Sequence, residues 1–219
     1  MFGGKVMYAL LKSFLVAVCI LSLWPAAGIA QSGSSERRAG NWYIGGGLGG
    51  FAEEDNARLA EQDSEFATFF GGGYRASPHV AIEAEVSFWR QDFRTPAAFG
   101  AVLVNPDART DLNTAGAAGL VKLFLPLDSV DLFVGGGLGL YTTQLYVEGN
   151  NGIATTKIDE DDTNLGYQLA LGADVYVSNR ITVGLEYRWL KLEANFDPLA
   201  AGDIDVGGQF LFATVRGHF

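Results

Sequence analysis

The chain has 219 residues, 48% hydrophobic and 12% aromatic, with 29 glycines, one cysteine and a formal net charge of −10. Interior glycines cost a helix about 1 kcal/mol each relative to alanine, which disfavours a helical domain, and six prolines without a Gly-X-Y period exclude collagen. One cysteine supplies neither an intrachain disulfide nor a cysteine-rich zinc site, and an acidic chain lacks the basic footprint of a nucleic-acid binder.

In chain order, Lys5 and Lys12 open a short basic start, followed by an apolar run from Ser13 to Trp24 and then Pro25, Ala26, Ala27, Gly28, Ile29 and Ala30. A charged start, an apolar core and a small-residue exit predict a secretory signal peptide over 1–30, cut after Ala30, with Ala27 as the second candidate site. Pro25 and the polar stretch from Gln31 leave the run short for a spanning helix. Val18 before Cys19 does not suit lipoprotein processing, and Cys19 leaves with the signal, so the exported chain has no thiol chemistry. Residues 31–40 are expected to form a periplasmic leader, and 41–219 the folded domain.

From residue 41 onward, apolar and polar positions alternate with a period of two. Val80, Ile82, Ala84, Val86 and Phe88 alternate with Glu83, Glu85 and Ser87; Leu165, Tyr167, Leu169, Leu171, Ala173 and Val175 follow, then Ile181, Val183, Leu185, Tyr187 and Trp189. One apolar face at period two is a half-buried strand. Eight such segments are expected, at about 41–51, 66–76, 80–91, 112–125, 131–146, 164–177, 181–193 and 205–219. Many exceed the usual five or six residues of a soluble strand and match the nine to eleven needed to cross a bilayer. Glycine clusters at Gly45 to Gly47, Gly71 to Gly73 and Gly135 to Gly137 would make room for large interior neighbours in a narrow barrel. Trp42, Tyr74, Trp89, Tyr141, Tyr187 and Trp189 lie near strand ends, where an interfacial aromatic girdle is expected.

The connections alternate between long and short. Short ones contain Ser77-Pro78, Pro126 with Asp128, and Ser178-Asn179, all suited to turns; long ones fall at 52–65, 92–111, 147–163 and 194–204. The pattern predicts an all-β, eight-stranded antiparallel up-and-down transmembrane β-barrel, with short turns in the periplasm and long loops outside. A soluble eight-stranded barrel is the alternative, and it would need an apolar interior. Without Lys5 and Lys12, 13 basic residues face 25 acidic ones, and this excess lies in the long loops. Glu53, Glu54 and Asp55, and Asp159, Glu160, Asp161 and Asp162, are the acidic clusters. Neither is assigned as a metal site, since the second lacks the coded glycine and distal glutamate of an EF-hand.

Trp42-Tyr43-Ile44-Gly45-Gly46-Gly47-Leu48-Gly49 resembles the first strand, and Phe210 to Phe219 the last strand, of the small bacterial outer-membrane β-barrel family of opacity-protein-like and alphaproteobacterial surface antigens. Phe219 resembles that family's assembly signal, with Leu211, Ala213 and Val215 at the alternating positions before it; Gly217 departs from the bulky residue often found there. The resemblance implies the bacterial outer membrane. It also implies contact with lipids and lipopolysaccharide, the barrel assembly machinery as a partner, and an unidentified extracellular ligand. The implied role is envelope integrity or adhesion through the acidic loops, with no cofactor.

With Ile82, Leu171 and Leu185 facing lipid, Glu83, Glu85, Asp174, Glu186 and Arg188 face inward; Lys122 and Arg216 join them if Val121, Leu123, Val215 and Phe219 face outward. Buried charges need partners, so an internal ion-pair network is expected. Phe210 and Phe212 point into the same space, and eight strands leave an interior just wide enough for side chains. A narrow pore for ions or small solutes is the second reading of this lumen. A lipid-modifying outer-membrane enzyme is a third, disfavoured: His79 and His218 are the only histidines, His79 is merely local to Ser77, and no phosphate loop, HExxH or GxSxG occurs.

Overall fold

The computed structural model describes residues 39–52, 62–94, 109–150, 155–195 and 203–219. The expected signal at 1–30, leader residues 31–38 and the Glu53–Asp55 cluster lie outside the described residues. Ten strands follow in chain order: β1 (Asn41–Ala52), β2 (Gln62–Ser77), β3 (Val80–Arg94), β4 (Arg109–Pro126), β5 (Val130–Asn150), β6 (Thr155–Ser178), β7 (Ile181–Lys191), β8 (Glu193–Asn195), β9 (Asp203–Asp205) and β10 (Gly208–His218). Eight close a barrel in the order β1-β10-β7-β6-β5-β4-β3-β2, while β8 and β9 pair separately. All pairings are antiparallel. Each barrel strand lies beside its sequence neighbours in the barrel, and β1 with β10 closes the ring.

Period two sets which side of the wall each residue takes. Along β3, Ala81, Glu83, Glu85, Ser87, Trp89 and Gln91 are buried in the lumen, while the residues between them are exposed. The outward apolar side chains form a continuous belt; Ile82, Leu140 and Leu165 are 60%, 61% and 65% exposed. So large an apolar surface marks a membrane or protein interface.

The short turns hold the strands at one end. His79 N–H donates to Ser77 Oγ at 3.2 Å and Arg180 N–H to Ser178 Oγ at 3.3 Å, hydroxyl turns of the kind serine favours. Before β1, Gly40 has φ 76°, a left-handed conformation that glycine adopts without steric cost; its N–H donates to Arg75 O at 2.7 Å.

At the opposite end the strands outrun the sequence expectation. The region 147–163 is mostly a continuation of β5 and β6, paired from Tyr146↔Asp159 to Asn150↔Thr155, so the Asp159–Asp162 cluster lies on a strand. Apolar alternation marks a strand only where one face meets lipid and the other the lumen; beyond that belt the ladder continues with Thr and Asp. Strand β2 likewise starts at 62, and β3 and β4 extend to 94 and from 109. The expected segment 205–219 divides into β9 and β10, and β7 stops at 191 rather than 193.

The expected aromatic girdle is corrected at two positions. Trp89 and Tyr141 share the inward parity of Glu85 and Thr143 and are buried in the lumen. Trp42 and Tyr74 do face outward, as a tilted pair with ring centroids 5.1 Å apart, and Trp189 pairs edge-on with Tyr167 at 5.5 Å.

Candidate functional site

The lumen is filled in two tiers. Toward the short turns lies a charged tier, in which β3, β4, β6, β7 and β10 each contribute inward residues. Lys122 Nζ donates to Glu83 Oε1 at 3.0 Å and to Glu186 Oε2 at 3.2 Å. Arg188 bridges Glu186 through Nε at 2.7 Å and Glu85 through Nη1 at 2.5 Å. Arg216 donates to Glu186 Oε2 at 2.5 Å and also contacts Asp174. Glu186 therefore accepts from all three bases. All seven sequence-selected residues are buried and lie in this one connected arrangement.

Two partners of this network, and a second cluster nearer the turns, are not legible from the alternation. Tyr43 O–H donates to Glu83 Oε2 at 2.8 Å and Gln168 Nε2–H to Glu85 Oε1 at 3.0 Å. Nearer the turns, Arg75 bonds Asp131 Oδ2 at 2.5 Å and Pro78 O at 2.5 Å, and Tyr176 O–H donates to the same Asp131 oxygen at 3.0 Å. Asp131 could have been found as a lone acid in the apolar run from Val130 to Val134. The Arg75 guanidinium also lies 4.2 Å from the Phe124 ring centroid.

Toward the long connections the lumen becomes mostly apolar, with Gln91 and the bonded pair Thr114 and Thr143 buried among the hydrophobic side chains. Phe69, Trp89, Leu112, Leu120, Tyr141, Leu145, Leu190, Leu192, Val206, Phe210 and Phe212 belong to one buried cluster. Thus the interior is ionic at one level and mostly apolar at the next. Phe69 meets Phe212 edge-on at 5.0 Å, and Trp89 meets Phe210 at 5.4 Å and Tyr141 at 5.6 Å. Arg188 joins the tiers, its guanidinium 3.9 Å from the Phe69 ring centroid.

Glycines make this filling possible. A Cβ at Gly139 or Gly166 would stand 2.8 or 2.9 Å from the Tyr141 ring, and one at Gly116 would overlap it. A Cβ at Gly45 would stand 2.6 Å from Arg216 Cγ, and one at Gly135 2.9 Å from Lys122 Cγ. Eight strands leave little interior space, so large side chains occupy it only against bare backbone.

The histidines are apart from this arrangement. His79 is exposed, its Nδ1 3.1 Å from Phe124 O. His218 lies between the Tyr43 and Tyr176 rings and 3.3 Å from Thr182 Oγ1. Ser77 Oγ accepts from the backbone of His79 rather than from its ring. Among the described residues, no group of three or more His, Cys, Asp or Glu is arranged to hold a metal ion. Phe219 is 68% exposed, and its backbone exchanges hydrogen bonds with Trp42 at 3.0 and 3.1 Å.

A family model described as outer membrane protein beta-barrel domain matches residues 15–212. Neisserial surface protein A is similar in structure, at 17% identity and a TM-score of 0.53, over 83% of this chain and 98% of that one. The outer membrane protein OprG from Pseudomonas aeruginosa is similar at 15% identity and a TM-score of 0.53, over 84% of this chain and 98% of its own. No curated protein sequence matches the chain.

Proposed function

Because the chain belongs to the outer membrane protein beta-barrel domain family, we propose that it is a closed, non-catalytic scaffold of the bacterial outer membrane that acts through surface interaction at its long-connection end. Short turns face the periplasm in such barrels, which directs the β5–β6 hairpin and its acidic run outward from the cell. Lipids and lipopolysaccharide surround the apolar belt. The role we assign is envelope integrity or adhesion. Phe219, with its outward side chain, is the residue we assign to recognition by the barrel assembly machinery.

One observation carries this reading: the lumen is filled at two successive levels by different chemistry. A solute passing through would have to displace paired charges and then an aromatic cluster. The seven-residue ion network is accordingly read as structural, holding β3, β4, β6, β7 and β10 at fixed separation. Planar-bilayer recording of refolded protein tests the reading directly. Rare, small or absent openings are expected, whereas frequent, stable, high-conductance openings would overturn it in favour of a narrow pore. In cells, deletion of the gene should raise sensitivity to detergent or reduce surface attachment. A strain unchanged in both would refute the assigned role.

A further inference from the structure

We propose that a cleft on the outer wall of the barrel seats one lipid A molecule of the outer leaflet, with an acyl chain on β4 and a phosphate at Arg90. The inference rests on the outer-membrane location and on the short turns facing the periplasm, not on the surface role assigned to the loops. The cleft measures about 320 Å³, and Phe66, Phe88, Arg90, Asn113, Ala115 and Gln144 are among the residues that line it. Cross-strand register explains its shape. One row runs Phe66–Arg90–Asn113–Gln144 and the next runs Phe88–Ala115–Thr142. The wall therefore drops at Ala115, between the phenylalanine and the threonine, with a polar row above it.

This position is where a lipid changes from headgroup to chain. Below the cleft the outward residues are apolar, and at its level they turn polar. Arg90 is half-exposed and lies 3.1 Å from Asp111; a guanidinium carries five N–H donors and suits phosphate geometry. Arg90 and Lys191 are the outward cations at this rim among the residues with described side chains.

From the cleft the depression continues down β4. Ala117 lies between Val86 and Leu140, and Gly119 between Ala84 and Leu138; nothing stands within 4 Å of a Cβ built at Gly119. From Asn113 to Gly119 the strand rises roughly 20 Å. At a tilt of about 40° that covers about 15 Å, half of the ~30 Å hydrocarbon core. The trough therefore matches the depth of one leaflet. The short turns lie at the other end, so that leaflet is the outer one, where lipid A supplies phosphate and acyl chains together.

Native mass spectrometry of the refolded, full-length protein in detergent with added lipid A tests the assignment. Phosphatidylglycerol serves as the competing phosphate lipid, and every variant is first checked for heat-modifiable migration. The wild type should retain one lipid A. Ala115→Trp, which fills the cleft, should lower retention about tenfold, and Arg90→Ala should do the same through loss of a charge-assisted bond. Ala213→Trp, on the opposite wall, should retain lipid A as the wild type does. Equal loss in Ala213→Trp would show a non-specific lipid annulus and overturn the site. Phosphatidylglycerol retained as well as lipid A, with the same sensitivity to both variants, would overturn the assignment to lipid A. Unchanged retention in Arg90→Ala overturns the phosphate contact even if Ala115→Trp does not fold. Conductance is independent of all these readings, so failure here leaves the closed-lumen proposal standing, and the reverse.

Discussion

Arg188 touches both chemistries of the lumen, bonding Glu85 and Glu186 below and lying over the Phe69 ring above. Replacing it with alanine removes the guanidinium bond to Glu85 and leaves the carboxylate the Gln168 amide. Loss of one partner of a buried pair costs about 3–5 kcal/mol, and R188A should lower the urea midpoint accordingly without changing the slope. Arg90→Ala, on the outer wall, serves as the comparison and should shift the midpoint far less, because exposed pairs contribute about 0–1 kcal/mol. A second contrast uses glycine. G116A places a methyl group into the Tyr141 ring and should destabilise by about 1–3 kcal/mol, the range for overpacking. G119A meets open space and should leave the unfolding free energy within about 0.5 kcal/mol of wild type, as surface substitutions usually do. Equal effects at both glycines would mean that Tyr141 is not seated where it is described.

At the scale of elements, the meander and its inside–outside parity were legible because a lipid-facing wall forces apolar residues to every second position. Parity alone assigns Glu83, Glu85 and Glu186 to one side of their strands. It does not say that Glu186 meets Lys122, Arg188 and Arg216, since that depends on how five strands are staggered around the ring. Tyr43 and Arg75 are hidden for a related reason: each adjoins a glycine cluster, which interrupts the apolar alternation that marks parity. Trp89 and Tyr141 lie near strand ends, where a girdle is expected, but strand parity turns both side chains into the lumen. The upper parts of β5 and β6 carry no apolar alternation because lipid no longer enforces it there, and Thr, Asn and Asp pair as a ladder without it. Cysteine labelling tests the resulting topology. A membrane-impermeant reagent should reach D161C in intact cells and S178C only after the outer membrane is permeabilised; the reverse pattern would invert the barrel.

For the whole molecule, two dissimilar plugs in series predict robustness of closure. Y141A opens the apolar tier only, and the paired charges beneath it should keep bilayer conductance near that of the wild type. Large, stable openings in Y141A would show that the apolar tier is the sole barrier. The ring itself is completed by β1 and β10, where Tyr43 pairs with His218 and Gly50 with Leu211. These partners are the most distant in sequence of any in the barrel, and contacts between remote segments carry the largest loop-closure entropy. Seven of the eight barrel contacts join strands close in the chain, so they form a curved sheet before the eighth. Until that last seam forms, both end strands present unpaired N–H and C=O groups, which hydrocarbon does not tolerate. A half-made barrel is therefore no stable resident of the bilayer, and the time the nascent chain spends unclosed, rather than the strength of any single contact, sets its exposure to degradation and aggregation on the way to the membrane.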